Sequence, residues 1–220
     1  MSKTYKVLNL CAGLGGNRQK WINCEVTAVE LNPEIAEVYK TQFPNDIVII
    51  GDAHQYLLDH YLEYDFIWDS DPCQSHSRMI RSGRNRKPTY PDMRLYEKIL
   101  FLQYNFKGLW VVENVVPYYE PLIKPNIQLG RHLVWSNFPI INMIVPTFKN
   151  MMNRQNLTAK KQMMDWLGIH YEKNIYYGEN HCPTQILRNC VHPDMGLHIY
   201  NCMLDYLAKQ NTPKQLNFEY

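Results

Sequence analysis

The chain of 220 residues is 45% apolar and 20% charged, which suits one soluble domain with a sizeable core and leaves no room for a second full domain. Its net charge of +2 does not by itself declare a nucleic-acid partner. No apolar run approaches membrane-spanning length, and the polar start Met1–Lys6 is unlike an export signal. The six cysteines, Cys11, Cys24, Cys73, Cys182, Cys190 and Cys202, lack disulfide-framework spacing and read as free thiols of a cytoplasmic protein.

Tyr5–Leu10 reads as a strand running into the turn Cys11-Ala12-Gly13-Leu14-Gly15-Gly16, after which Asn17–Ile22 is expected to begin a helix. Val26–Glu30 is a second strand. Pro33, suited to a first helical turn, opens a helix to about Phe43. Asp46–Ile50 is a third strand ending at Gly51-Asp52, followed by a helical segment over His54–Tyr61. The fourth strand, Tyr64–Asp69, runs into Ser70-Asp71-Pro72-Cys73-Gln74-Ser75-His76-Ser77. A helix is expected over Pro91–Tyr104, then a fifth strand, Leu109–Glu113, continuing into Asn114-Val115. This alternation argues an α/β fold, a parallel sheet with helices on both faces. Such sheets bind ligands beyond the carboxyl ends of their strands, where all these motifs fall.

The second half is less regular. His132–Trp135 and Ile140–Val145 read as antiparallel neighbouring strands, Ala159–Leu167 and Pro193–Ala208 as helices. Residues 146 to 182 are polar and unassigned, and the tail from Gln210 has little to bury.

The glycine turn lets backbone approach a ligand closely, a property shared by many nucleotide binders and by plain tight connections. Glu30, ending the second strand, stands where a carboxylate can accept from ribose hydroxyls. Asp52 suits the exocyclic amine of an adenine. No Lys-Ser/Thr follows the glycines, which disfavours a triphosphate loop. Cys73, on a stiff turn at a strand end, is placed as a nucleophile, although a lone cysteine is most often a small buried hydrophobe. Glu113 ends a strand, as many plain surface acids do. Residues 78 to 87 hold five of the 23 Lys and Arg residues and no acid. Such runs are usually solvated faces, but adjacency to Cys73 favours phosphate contact.

The glycine turn, Pro72-Cys73-Gln74 and Glu113-Asn114-Val115, in that order, resemble the cytosine carbon-5 DNA methyltransferases, in particular short, phage-type or orphan members. The resemblance implies a Rossmann-like S-adenosylmethionine-dependent fold, mostly parallel with an antiparallel edge. It implies a catalytic domain over 1–145 plus 184–209, a reduced target-recognition insert over 146–183 and a loose tail over 210–220. S-adenosylmethionine would be held by Cys11, Ala12, Gly13, Leu14, Gly15, Gly16, Glu30, Leu31, Asp52, Ala53 and Asp71. Asn189 and Val191 would join them from Arg188-Asn189-Cys190-Val191-His192-Pro193, which is similar to the family's closing motif.

Cys73 would add to carbon 6 of the ring, Glu113 would hold or deliver a proton at nitrogen 3, and Arg131 would bind the base carbonyl. Gln74, Ser77 and the basic residues Arg78, Arg81, Arg84, Arg86 and Lys87 would meet DNA, double-stranded with the base flipped out or single-stranded. The implied protein is a monomer with no membrane partner. It needs no metal: His181-Cys182 with Cys190 and His192 fit no common zinc spacing.

Three positions depart from the family. Cys11 replaces a phenylalanine, Leu129 replaces an arginine two residues before Arg131, and Asp71 replaces the first proline of Pro-Pro-Cys-Gln. Asp71 is expected to relax the turn and set a negative charge near a thiolate that needs an electropositive setting, for which the downstream arginines and His76 are candidates. Two other readings stand beside DNA methylation: the same chemistry on RNA or a nucleotide, and a non-catalytic relative that binds cofactor or nucleic acid. An amino-group methyltransferase is disfavoured, because Cys73 stands where those enzymes carry a stacking aromatic.

Overall fold

In the computed structural model of the protein, residues 3–81, 88–149, 156–176 and 182–211 are described. Five strands run parallel: β1 (Tyr5–Leu10), β2 (Cys24–Glu30), β3 (Ile47–Ile50), β4 (Phe66–Ser70) and β5 (Leu109–Val115). β7 (His132–Ser136) lies antiparallel to β5, and β6 (Ile127–Leu129) antiparallel to β7. The order across the sheet is β3-β2-β1-β4-β5-β7-β6, a Rossmann-like arrangement with an antiparallel edge.

The central strands are buried almost without interruption, as a parallel sheet covered on both faces requires. Alternate side chains sort to opposite sides. Val7, Phe66, Trp68 and Val111 pack with Met195, Ile199, Tyr200 and Met203 of α6 (Pro193–Asn211). Leu8, Leu10, Ile67 and Val112 pack with Leu57 of α2 (Ala53–His60) and with Leu95, Ile99 and Leu102 of α3 (Arg94–Asn105). On α1 (Pro33–Gln42), Tyr39 meets Ala28, while Ile35 joins Met163 and Leu167 of α4 (Leu157–Leu167) and Ile186 and Leu187 of α5 (Gln185–Arg188). None of the described helices is long and apolar enough to cross a membrane.

Helix starts follow local chemistry. The Asn32 side chain accepts from the Glu34 and Ile35 amides with Pro33 in the first turn, Asp52 accepts from the His54 amide, and Asn156 accepts from the Ala159 amide. Each satisfies an amide that the helix leaves unpaired.

Two expected elements do not form. Asn17–Ile22 is a chain of tight turns, closed by Arg18 N–H to Gly15 carbonyl and Trp21 N–H to Arg18 carbonyl, because its side chains are committed elsewhere. Asn17 bonds Asn9 at 2.8 Å, Arg18 bonds both oxygens of Asp46, and the Trp21 indole donates to the Gly196 carbonyl at 3.1 Å. These tertiary bonds override a helical local pattern. Among the described residues, Ile140–Val145 pairs with no strand. Ile140, Met143 and Val145 instead rest against the α6 side of the core, and the Ile141 carbonyl accepts from His198 at 2.7 Å. The edge strand is β6, whose three residues give too short a run to read as a strand.

Several bounds shift as well. β5 runs on to Val115, α3 begins at Arg94, α6 extends to Asn211 past the expected start of the tail, and the short α5 had no counterpart in the sequence reading.

α6 sits on the glycine turn at close range. A Cβ at Gly196 would come within 2.2 Å of the Asn17 carbonyl oxygen and 2.6 Å of its Cα. Gly196→Ala is therefore expected to destabilise the protein by about 1–3 kcal/mol, the usual cost of forcing an extra carbon into a packed contact. Thermal denaturation reads it, and an unchanged midpoint would show that α6 does not bear on this turn.

Candidate active site

Beyond the carboxyl ends of β1, β2, β4 and β5 lies a cavity of about 630 Å³. One wall is the glycine turn. Cys11 and Gly13 have left-handed backbone, φ 51° and 56°, a conformation that costs a non-glycine residue such as Cys11 some strain. Glu30 fastens this turn: Oε2 accepts from the Gly13 amide and Oε1 from the Asn32 amide, each at 2.9 Å. Burial pushes its carboxyl up while the backbone donors pull it down, with a net rise. Each carboxylate oxygen keeps a further lone pair for a ligand hydroxyl.

Of the residues that the resemblance assigns to the cofactor, Cys11, Ala12, Gly13, Leu14, Gly16, Glu30, Leu31, Asp52, Ala53, Asp71, Asn189 and Val191 all line the cavity. Gly15 does not. A Cβ there would strike the rings of Phe43 at 2.4 Å and Tyr39 at 2.8 Å, so this glycine serves the packing of the turn on α1. Gly16 has a similar constraint from the other side, with the Val191 carbonyl 2.3 Å from where its Cβ would stand. The segment Asn189–Val191 thus seats directly on the glycine turn. Asp52 shares its carboxylate between the His54 amide at 2.9 Å and the Arg94 guanidinium at 3.5 Å.

Cys73, Gln74, Glu113 and Arg131 line the same cavity. Burial pushes the Cys73 thiol up, Glu113 adds to that, and Arg131 opposes it. The expectation that His76 supplies the positive setting is corrected. His76 is buried, its Nδ1 stands 2.5 Å from the Tyr119 hydroxyl, and burial lowers its pKa. Among the described residues, the cation that acts on the thiol is Arg131. That arginine also donates to the carbonyl of Arg188 and, at 3.5 Å, to that of Cys190, clasping β7 to the Asn189–Val191 segment.

Ser77 and Arg78 sit outside the cavity beside Pro117. Ser77 bridges to Pro117 and accepts from the Met79 amide, and Arg78 Nε donates to the Pro117 carbonyl at 3.3 Å. The side chain of Arg81, and Arg84, Arg86 and Lys87, lie outside the described residues.

Three contributors, Lys98, Asp69 and His132, escaped the sequence reading. Lys98 of α3 ion-pairs with Asp71 and lies 2.8 Å from Asp69, with the Lys98 and Asp69 side chains 2% and 0% exposed. Burial works against the Lys98 ammonium, but Asp69, Cys11 and Asp71 outweigh it and hold its pKa up. Burial also pushes Asp69 up, against the pull of Lys98. Cys11 Sγ and the two carboxylates lie within 4.8 Å of one another, and the Lys98 ammonium is the cation among them. The Asp71 carbonyl accepts from Asn114 Nδ2 at 3.2 Å. The expected loosening of the turn at Asp71 is thereby offset: its side chain is tied to α3, its carbonyl to β5, and its charge is matched by an ammonium.

The third contributor is His132, whose Nδ1 lies 2.6 Å from Glu113 Oε2. In the β5–β7 register His132 stands opposite Val115, which makes it the diagonal neighbour of Glu113 on the same face.

A thiol held up by burial reacts slowly near neutrality, since the thiolate is the nucleophile. Alkylation of Cys73 by iodoacetamide, followed by peptide mass spectrometry, is expected to be slow at pH 7 and to accelerate into the alkaline range. Arg131→Gln should slow it further by removing the opposing cation. Fast alkylation at pH 7 would show a pre-formed thiolate.

Comparison with known sequences and structures places these observations. Residues 5–99 match the family described as C-5 cytosine-specific DNA methylase. No curated protein matches the chain. Among solved structures it is similar to a DNMT2 mutant of Spodoptera frugiperda, with 25% identity, 51% of this chain and 36% of that one covered, and a TM-score of 0.38. It is similar to the S. pombe Dnmt2 methyltransferase at 21% identity, 50% and 36% coverage and a TM-score of 0.37. A putative DNA modification methyltransferase encoded within an E. coli prophage gives 18%, 53% and 34%, and 0.36. The chain thus spans about a third of the length of these proteins. The stretch that matches the C-5 cytosine-specific DNA methylase family carries the glycine turn, Glu30, Asp52, Pro72-Cys73-Gln74 and Lys98.

Proposed function

We propose that this protein transfers a methyl group from S-adenosylmethionine to carbon 5 of cytosine in DNA. The observation that carries the reading is a single cavity in which Cys73, Glu113 and Arg131, from three separate segments, face the glycine turn, Glu30 and Asp52. The residues present fit the cofactor. Gly13, with nothing nearer than 4.0 Å to where its Cβ would stand, leaves room for close backbone approach, Glu30 retains lone pairs toward a ribose, and Asp52 can accept from an adenine amine. When bound, S-adenosylmethionine supplies an electrophilic methyl on a sulfonium.

Carbon 5 of cytosine is a poor nucleophile, and the chain's own residues activate it. Cys73, once deprotonated, bonds to carbon 6, and the electron density that this displaces is met by a proton from Glu113 at nitrogen 3. Arg131 offers its guanidinium to the base carbonyl. After methylation, loss of the carbon-5 proton regenerates the double bond and expels Cys73. A base stacked in a duplex reaches such a pocket only when flipped out.

Residues 146–183, including α4, we assign to a reduced target-recognition insert, and the run from Arg78 to Lys87 to phosphate contact. Replacing Arg81, Arg84 and Arg86 together with glutamine should then weaken DNA binding regardless of sequence. The slope of log affinity against log salt should flatten by about 2–3 units, and a parental slope would mean a solvated face.

The reading is tested by incubating the protein with labelled S-adenosylmethionine and separate DNA and RNA pools, then analysing the nucleosides by mass spectrometry. Label in 5-methyldeoxycytidine is expected. Label only in 5-methylcytidine would move the substrate to RNA, and cofactor binding without label in either pool would make the protein a non-catalytic relative.

A further inference from the structure

Glu113 is asked to give a proton to nitrogen 3 as the thiolate adds and to take it back as Cys73 leaves. Its surroundings make that hard. The carboxylate that forms when the proton leaves is buried, and Asp69, on β4, acts on it with the same sign. Arg131, at the start of β7, is partly committed to the carbonyls of Arg188 and Cys190. The group in direct contact is His132, 2.6 Å away, and both side chains are only 6% exposed.

We infer that His132 is a positioning residue for the acid step: its Nδ1–H donates to Glu113 Oε2, which leaves Oε1 to carry the proton destined for the base and stabilises the carboxylate formed when that proton departs. This rests on the proposed cytosine chemistry and names a residue that the motifs did not.

The proton balance closes. The Oε1–H bond breaks, a bond from nitrogen 3 to hydrogen forms, and the electron pair stays on the carboxylate, held by Nδ1–H. When Cys73 is expelled, the proton returns to Oε1 by the reverse path. A donor fixed on one carboxylate oxygen is worth most where water is scarce, because a hydrogen bond to a charged group strengthens there. The position also argues against a filler role. His132 is followed in β7 by Leu133, Val134 and Trp135, all buried apolar residues, and a buried polar pair is seldom more stabilising than an apolar one.

The test compares wild type, His132→Asn and His132→Leu in steady-state methyl transfer to DNA, with cofactor titration and thermal denaturation alongside. His132→Leu should lose at least about tenfold in kcat, the rate equivalent of one hydrogen bond to a charged group, with KM and cofactor affinity near the parental values. His132→Asn, which keeps a donor, should recover most of that rate. Wild-type rate in both variants, or a loss in His132→Asn as large as in His132→Leu, would overturn the inference while leaving the methyltransferase reading intact. A wild type with no transfer at all would overturn both. If His132→Leu does not fold, the kcat of His132→Ala set against that of His132→Asn decides in its place.

Discussion

Cys73→Ser is expected to abolish methyl transfer, with a loss of roughly 10⁴-fold or more, as when the nucleophile of a covalent mechanism is removed. S-adenosylmethionine affinity should stay at the parental value, because Glu30, Asp52 and the glycine turn occupy other strand ends. The two readouts together make the prediction sharp. A variant that lost both would implicate folding, and one that kept transfer would remove Cys73 from the chemistry. Glu113→Gln should cost less, roughly 10²–10⁴-fold, the range typical of a general acid.

The largest stability effect is expected at a residue that belongs to no motif. Lys98→Met would leave Asp69 and Asp71 facing each other without the ammonium that separates them, and breaking a buried charge pair on one side typically costs about 3–5 kcal/mol. The loss should depend on pH in a defined direction. Burial already raises the Asp69 pKa above its unfolded value, and without Lys98 it must rise further. The folded variant therefore binds more protons than the unfolded chain, so its stability falls as pH rises through the folded pKa and recovers in acid. Urea denaturation of Lys98→Met at acidic and alkaline pH checks this. Equal losses at both would show that the carboxylates do not carry the effect. Adding Asp71→Pro, the residue usual in the family, should restore part of the stability by removing the second charge.

The parallel half of the sheet was legible because β1, β2, β4 and β5 are buried runs punctuated by glycine, proline or acidic turns, and such runs announce themselves locally. Asn17–Ile22 was not, since its conformation is set by Asn9 and, from far along the chain, by Asp46 and Gly196. The three-residue β6 was too short for any periodic signal. The same division holds at the site. Cys73, Glu113 and Arg131 stand in short motifs whose order can be read along the chain. Lys98 looks like any helical lysine until α3 is laid over β4, although an acid at position 71 in place of proline was a signal that a buried cation had to stand nearby. His132 was readable only through the β5–β7 register, which sets it diagonal to Glu113, and Gly15 looked like a ligand-binding glycine until the rings of Tyr39 and Phe43 were seen to occupy its far side.

The central claim is that Cys73 forms a covalent bond to cytosine during methyl transfer, and intact-mass spectrometry tests it most directly. The protein is incubated with S-adenosylmethionine and an oligonucleotide carrying 5-fluorocytosine, whose fluorine blocks the final loss from carbon 5. The account predicts a new species at the summed mass of protein, oligonucleotide and one methyl group, with the modification on the peptide containing Cys73. Protein that stays at its unmodified mass, or an adduct on any of the other five cysteines, would contradict it.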